Sequence, residues 1–251
     1  VPMNEGAFRV VDVYSPEGTV LHASFPYPVA GGNLETSQRN ADLLYLAFSQ
    51  SLPEKVPAAS GGSMNNVMIG GMHEGKSWAF YETIGVGLGG RYAMDGLDGI
   101  QANMTNTMNT PIEEIERSMP ILIRRYGFRS NSCGAGQSRG GSGLVRAYEM
   151  LAESTTFTVL SERGRHEPYG LLGGSGGARA KVILYRNHQG RLRKKRLPIK
   201  QTAILKKGDI VEMQTAGGGG YGNPKNRDRH KVLADLENEM ITKSYARRLR
   251  W

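Results

Sequence analysis

Three asparagines, three threonines and three glutamates stand within Asn103–Glu116, and their order gives them separate tasks. Thr110-Pro111-Ile112-Glu113 has a capping residue, proline at the first helical position and glutamate at the third, the pattern of a capping box. It predicts a helix beginning near Pro111, with the Glu113 carboxylate reaching back to the backbone N–H of Thr110. The residues before it then form a polar loop that ends at a helix amino terminus, where unpaired N–H groups and the dipole favour a negative or polarised oxygen. Such a loop is a place to hold a substrate. The same residue types also close tight turns through local hydrogen bonds, so a purely architectural use of the loop is the competing reading.

Several familiar chemistries lack their residues. The histidines His22, His73, His166, His188 and His230 are scattered, without the spacing of a metal site. No Gly-x-Ser-x-Gly elbow supplies a serine nucleophile. Cys133 is the single cysteine; it cannot form an internal disulfide, which fits a reducing compartment, and its glycine and serine neighbours mark a small buried or loop residue. Gly85-Val86-Gly87-Leu88-Gly89-Gly90-Arg91 lacks both the Gly-Lys-Ser/Thr ending and the following acid of a nucleotide loop. It reads as backbone folded closely against the Asn103 loop, placing Arg91 and Asp95 near the pocket.

The elements that position these residues follow from periodicity. Phe8 to Val13 alternates and Thr19 to Ala23 returns after a Pro-Glu-Gly turn, predicting an opening β-hairpin. A helix from Thr36 or Ser37 places Ala41, Leu44, Leu46 and Leu52 at helical spacing until Pro53, and is expected to pack on the core. Strands are expected at Val67–Ile69, Trp78–Ile84, Val145–Ala152, Thr155–Ser161, Ala180–Tyr185, Ala203–Asp209 and Ile210–Gln214; Ile121–Phe128 fits helix or strand. Gly217–Gly222 reads as a flexible segment. A helix over Asp228–Glu239 puts Val232, Leu233, Leu236 and Met240 on one face, and Thr242 caps a short last helix. The expected class is α+β, a β-rich platform with Gly-rich loops and a few packed helices. Residues 1–143 form the region carrying the site and 144–251 a β-rich carboxy-terminal region with closing helices.

Composition narrows the partners. The 34 glycines among 251 residues are about twice ordinary usage, so many backbone positions need close approach or unusual dihedrals. The formal charge of +9 gathers in Arg191–Arg196 and Arg247–Arg250, without a nucleic-acid-binding signature. Solubility or contact with an acidic subunit is the expected use. No run reaches the ~18 apolar residues of a membrane span and no signal-peptide pattern opens the chain, so a cytoplasmic location is expected.

Tyr81-Glu82-Thr83-Ile84-Gly85, Met94-Asp95-Gly96, the Asn103–Glu116 stretch and Arg139-Gly140-Gly141-Ser142-Gly143-Leu144-Val145-Arg146 together resemble the hydantoinase B/oxoprolinase family. Pro2-Met3-Asn4-Glu5-Gly6, Gly31–Arg39 and Thr215–Pro224 extend the resemblance from end to end. The Gly-rich element around Cys133 departs from the family pattern, with Asn131 where Asp is usual and Cys133 where Gly is usual. In that family the opening motif lies near the middle of the subunit, so the chain resembles a carboxy-terminal half.

The resemblance implies an ATP-dependent reaction. A hydantoinase A-type ATPase subunit, holding ATP and Mg, phosphorylates the oxygen of a lactam, imide or ketone; the B-type subunit completes ring opening or, in the acetone carboxylase branch, carboxylation. It also implies a divalent metal, Zn or Mn, in the amino-terminal half of the subunit. On this footing Asn103, Thr105, Asn106 and Asn109 suit donors toward developing charge, Arg91 neutralises a phosphate or carboxylate, Glu82 or Asp95 orients water, and Arg139 joins the substrate-binding set. The rivals are the carboxylase branch and a non-catalytic structural or nucleic-acid-binding chain.

Overall fold

The computed structural model describes residues 5–188, 191–249 and 251. Most of the opening Pro2–Gly6 motif and Arg250 of the basic tail lie outside them. Alternating segments become strands where their apolar face finds a partner: β1 (Asn66–His73), β2 (Lys76–Glu82), β3 (Ile121–Phe128), β4 (Leu144–Met150), β5 (Ser154–Leu160), β6 (Lys181–His188), β7 (Arg191–Leu197), β8 (Lys200–Lys206) and β9 (Ile210–Gln214). They make two antiparallel sheets, four-stranded β2-β1-β5-β8 and five-stranded β3-β4-β9-β6-β7. Strands from either side of position 143 enter both sheets. Val67, Ile69, Phe157 and Val159 of one sheet and Tyr148, Met150, Val182, Val211 and Met213 of the other meet in a common core. The class is therefore α+β.

The helices are short: α1 (Glu5–Phe8), α2 (Ser37–Phe48), α3 (Ile112–Ser118), α4 (Arg229–Glu237) and α5 (Lys243–Arg248). Asp228 caps α4 by accepting from the His230 N–H, and Thr242 caps α5 by accepting from the Tyr245 N–H. Val232 and Leu236 pack beside Cys133, whereas Leu233 points outward, so the expected α4 face is narrower by that residue.

The opening hairpin does not form. Residues 5–8 make a single helical turn, and of the two predicted strands only an isolated Thr19–His22 bridge remains. Val10, Val13, Tyr14, Val20 and Phe25 are exposed; no surface among the described residues covers them, so alternation has nothing there to bury against.

α2 is present but turned over. Its inward residues are Gln38 and Asp42, preceded by Glu35 on a π-helical turn, while Leu43, Leu44, Leu46 and Phe48 face outward. Ionic and amide partners hold the polar face inward. Asp42 accepts from Arg39 at 2.6 Å, Arg163 at 2.7 Å and the Ser60 hydroxyl at 3.2 Å. The Glu35 Oε1 accepts from the Met64 N–H at 3.1 Å and Asn66 Nδ2 at 3.0 Å, and burial raises its pKa despite these donors. Unpaired, such groups would each cost more to bury than a leucine gains; held by these partners they fix the helix orientation, although Glu35 Oε2 and Arg39 Nε and Nη1 remain buried without a hydrogen bond.

The glycines build a third layer. Successive N–H groups of Gly217, Gly218 and Gly219 donate to the carbonyls of Ala178, Gly141 and Ala59, and Gly220 and Tyr221 return to the first two segments through Ser175 and Ser138. Bonding directions that repeat every third residue are those of a polyproline II helix. Segment 216–222 is thus the bonded centre of a bundle, against the expectation of a flexible stretch. Close approach requires the glycines: a Cβ on Gly218 would sit 1.8 Å from the Leu88 carbonyl oxygen.

Candidate active site

The Asn103 loop is hung from the polar face of α2 and from the end of β2. Gln38 Nε2 donates to the Ala102 carbonyl at 2.8 Å, and its Oε1 accepts from Asn103 Nδ2 at 3.2 Å. Thr105 Oγ1 donates to Gln101 Oε1 at 2.9 Å. On the other side Asn109 Nδ2 donates to Glu82 Oε2 and to the Thr83 carbonyl, both at 2.8 Å, while its Oδ1 accepts from the Tyr126 hydroxyl at 3.0 Å. Both Asn109 amide hydrogens are therefore engaged.

Between these anchors lies a cavity of about 540 Å³ whose wall includes Gln101, Asn106, Thr107, Asn109, Glu113 and Tyr126. Asn106 is exposed to it, and among the described residues its side chain makes no hydrogen bond. α3 starts where the Pro111 signal places it, to within one residue, yet no side chain caps it. The Glu113 carboxylate does not return to the Thr110 N–H; it lines the cavity instead. The reason is local: Pro111 adopts an extended ψ of 141°, so Thr110 lies one residue too early to be the cap. Sequence reasoning missed Glu113 and Tyr126 as cavity residues, because the capping pattern assigns the first to the helix start and a segment that fits helix or strand gives the second no direction.

Beneath the cavity Glu82 is buried and shared. Its carboxylate accepts from the Tyr148 hydroxyl and from Asn109, and Arg146 Nε lies 2.6 Å from Oε1 as an ion-pair contact without hydrogen-bond alignment. Burial first, then the Glu82 charge, lifts the Tyr148 pKa well above the ordinary phenol value, so Tyr148 stays a donor. Arg146 is fully buried, with its guanidinium 4.3 Å from the Tyr126 ring centre. The arrangement fixes Asn109 and leaves Glu82 no open oxygen facing the cavity.

Arg91 and Asn103 do not join Asn106. They line a second recess of about 430 Å³ with Lys55, Asp42, Tyr45 and Ser60. Asp95 and Arg139 are placed elsewhere again, in a chain of ion pairs. Arg227 binds Asp95 at 2.8 and 3.0 Å and Asp235 at 2.7 Å; Arg139 binds Asp235 at 2.9 Å and Asp98 at 2.8 and 3.0 Å. This network ties the Gly85–Gly99 and Gly134–Gly143 segments to α4.

Burial pushes the Asp95 carboxyl upward, but the Arg227 hydrogen bond and charge and the Arg139 N–H outweigh it and hold the pKa below the usual value. A depressed folded-state pKa stabilises above the unfolded value, about 3.9, and the contribution is lost as pH falls through the folded one. Asp95→Asn should therefore be less stable than the parent in urea melts at pH 7, with the difference shrinking below about pH 4. A difference constant with pH would show that Asp95 acts by shape alone.

Cys133 is buried and its thiol is pushed up to about 12, first by burial. No three His, Cys, Asp or Glu residues are grouped to hold a metal ion among the described residues. No described helix is long and apolar enough to cross a membrane.

The chain belongs to the hydantoinase B/oxoprolinase family, whose family model matches residues 1–224. It is 46% identical over 244 residues to the uncharacterized protein MJ0963 of Methanocaldococcus jannaschii, covering 96% of this chain and 41% of that protein. The crystal structure of ATP-dependent caprolactamase from Pseudomonas jessenii superposes with a TM-score of 0.85 at 30% identity, over 98% of this chain and 44% of that one. A nucleotide-free acetone carboxylase structure shares the fold, with a TM-score of 0.65 at 18% identity, over 80% of this chain and 31% of that one. The chain thus spans less than half the length of these relatives.

Proposed function

We propose that this chain forms part of an ATP-dependent cyclic amide hydrolase and opens a lactam or imide ring whose oxygen has been phosphorylated by a hydantoinase A-type ATPase subunit. The observation that supports it best is Asn106, an uncommitted amide on the wall of a cavity whose other side-chain amides, Gln101 and Asn109, are tied down. In the phosphorylated ring the carbonyl carbon is strongly electrophilic. Water adds to that carbon, Glu113 takes up the water proton, and Asn106 donates to the charge that develops on oxygen. The ring C–N bond then breaks and nitrogen takes up a proton. This leaves an acyl phosphate, which a second water cleaves to the carboxylate and phosphate, so the two waters account for ring opening and for the ATP phosphoryl group.

Glu82 serves as a positioning residue, holding Asn109 through the bond described above, and Asp95 and Arg139 brace the glycine segments that back the loop. Arg91, with Lys55 and Asn103 in the second recess, supplies positive charge for a phosphate or carboxylate. ATP and Mg belong to the partner subunit in this reading. The Zn or Mn implied by the resemblance finds no fitting residue cluster among those described, and no step above runs through it.

The test is turnover by the chain alone and then with an ATPase subunit and the remainder of a B-type subunit, offered hydantoin, 5-oxoproline, caprolactam or acetone with bicarbonate. Ring opening should require the assembly and ATP. Robust ring opening by the lone chain, or consumption of acetone alone, would overturn the assignment.

A further inference from the structure

A surface helix of a folded protein ordinarily turns its apolar stripe inward. α2 turns its ionic residues inward and leaves Leu43, Leu44, Leu46 and Phe48 outside. The segment before it is exposed almost throughout, apolar residues included: Val10 is 90% exposed, Val13 84% and Phe25 98%. A groove of about 450 Å³ separates Val20, Leu21 and Val29 of the arm from Thr36, Ser37 and Asn40 at the polar start of the helix, so the arm lies beside the helix whose apolar residues are exposed. An apolar face of this extent marks an interaction surface.

We propose that this face seats the portion of a hydantoinase B-type polypeptide that lies outside the part matched here. More than half of the Methanocaldococcus jannaschii relative and of the caprolactamase chain lies outside the match. Nearly the whole of this chain superposes on the latter, so the same helix and arm have that remaining polypeptide joined to them in one molecule. The character of the surface agrees. Arg39 and Asp42 are drawn inward, which leaves the exposed apolar stripe of α2 suited to a permanent interface, the kind that resembles a domain core cut in half. An acidic or nucleic-acid partner would instead be met at the basic edge strand β7, where Arg191–Arg196 are exposed.

The inference rests on family membership and not on the ring-opening chemistry, so binding and turnover can fail separately. The test uses the part of the Methanocaldococcus jannaschii relative outside the match, made as a separate chain, and measures its association with this chain by light scattering and calorimetry. A one-to-one complex is expected. Leu44→Glu and Val13→Glu, at exposed positions, should leave the thermal melt unchanged and weaken binding roughly 10- to 100-fold, the worth of one buried aliphatic side chain. Lys194→Ala on β7 should leave it unchanged. Absence of a complex, or a complex indifferent to both apolar-to-acidic variants, would overturn the proposal. Self-association of this chain that Leu44→Glu abolishes would overturn it too, by giving the face to a second copy.

Discussion

Asn106→Ala is expected to lower ring-opening turnover of the assembled enzyme roughly 100- to 1000-fold, the usual loss for one preorganised donor to developing charge, with no change in melting temperature. The side chain faces the cavity and supports nothing else in the described structure. Asn109, three residues on, should fail in the opposite way. Its amide satisfies Glu82 and the Thr83 carbonyl, so Asn109→Ala leaves two acceptors short of a donor, at about 1–3 kcal/mol for a buried group. A lowered melting temperature is the expected reading there. Paired melts and turnover numbers separate the two residues. If Asn106→Ala lowers the melt while each folded molecule keeps full turnover, the loop is architectural.

Gly218→Ala is expected to prevent folding, although it adds one methyl group. The new Cβ would lie 1.8 Å from the Leu88 oxygen and 2.2 Å from its carbonyl carbon, backbone atoms held by bonds of their own. Making room means separating segments joined by the Gly218 N–H to Gly141 oxygen bond at 2.9 Å and the Gly134 N–H to Gly218 oxygen bond at 2.8 Å. Overpacking costs about 1–3 kcal/mol and each orphaned backbone group about 1–3 more, which together approach the ~5–15 kcal/mol stability of a whole domain. Gly127→Ala on β3 is the matched control, with nothing within 4 Å of the added atom. Soluble yield and thermal melts should show loss of the first protein and a near-normal second. A Gly218→Ala chain that melts like the parent would mean that segment 216–222 is loosely packed.

These two cases show what was legible in the sequence. Strand periodicity located β4, β5 and β9 because alternation is a local property and each strand found a sheet to bury its face. The glycine excess announced close approach, but which segments approach depends on partners such as Leu88 and Gly141, far from Gly218 in the chain. Leu44 and Leu46 announced an amphipathic helix and misdirected its face. The counter-signal was present in Glu35, Gln38, Arg39 and Asp42, which recur at helical spacing on the opposite side, but their partners Arg163 and Ala102 lie well beyond a helical window.

The site was legible as a stretch and not as a set. Within the Asn103–Glu116 run the residues Asn106 to Glu113 line the cavity, and only the fold shows that Asn109 is consumed by Glu82 and Tyr126, that Arg91 and Asn103 face another recess, and that Asp95 and Arg139 meet through Arg227 and Asp235 instead of at the loop. Contacts far apart in the chain hold Asn109, through hydrogen bonds to Glu82 and Tyr126, and Asp95 and Arg139, through ion pairs, and no local spacing encodes them.

The most direct test of the account is the ratio of ADP formed to ring-opened product in the reconstituted assembly, measured with the parent chain, with Asn106→Ala and with this chain left out. If ring opening belongs to this chain, the parent shows tight coupling, Asn106→Ala forms product far more slowly and raises the ratio, and omission of the chain abolishes product. Undiminished ring opening with Asn106→Ala, or product formed without this chain, would contradict it.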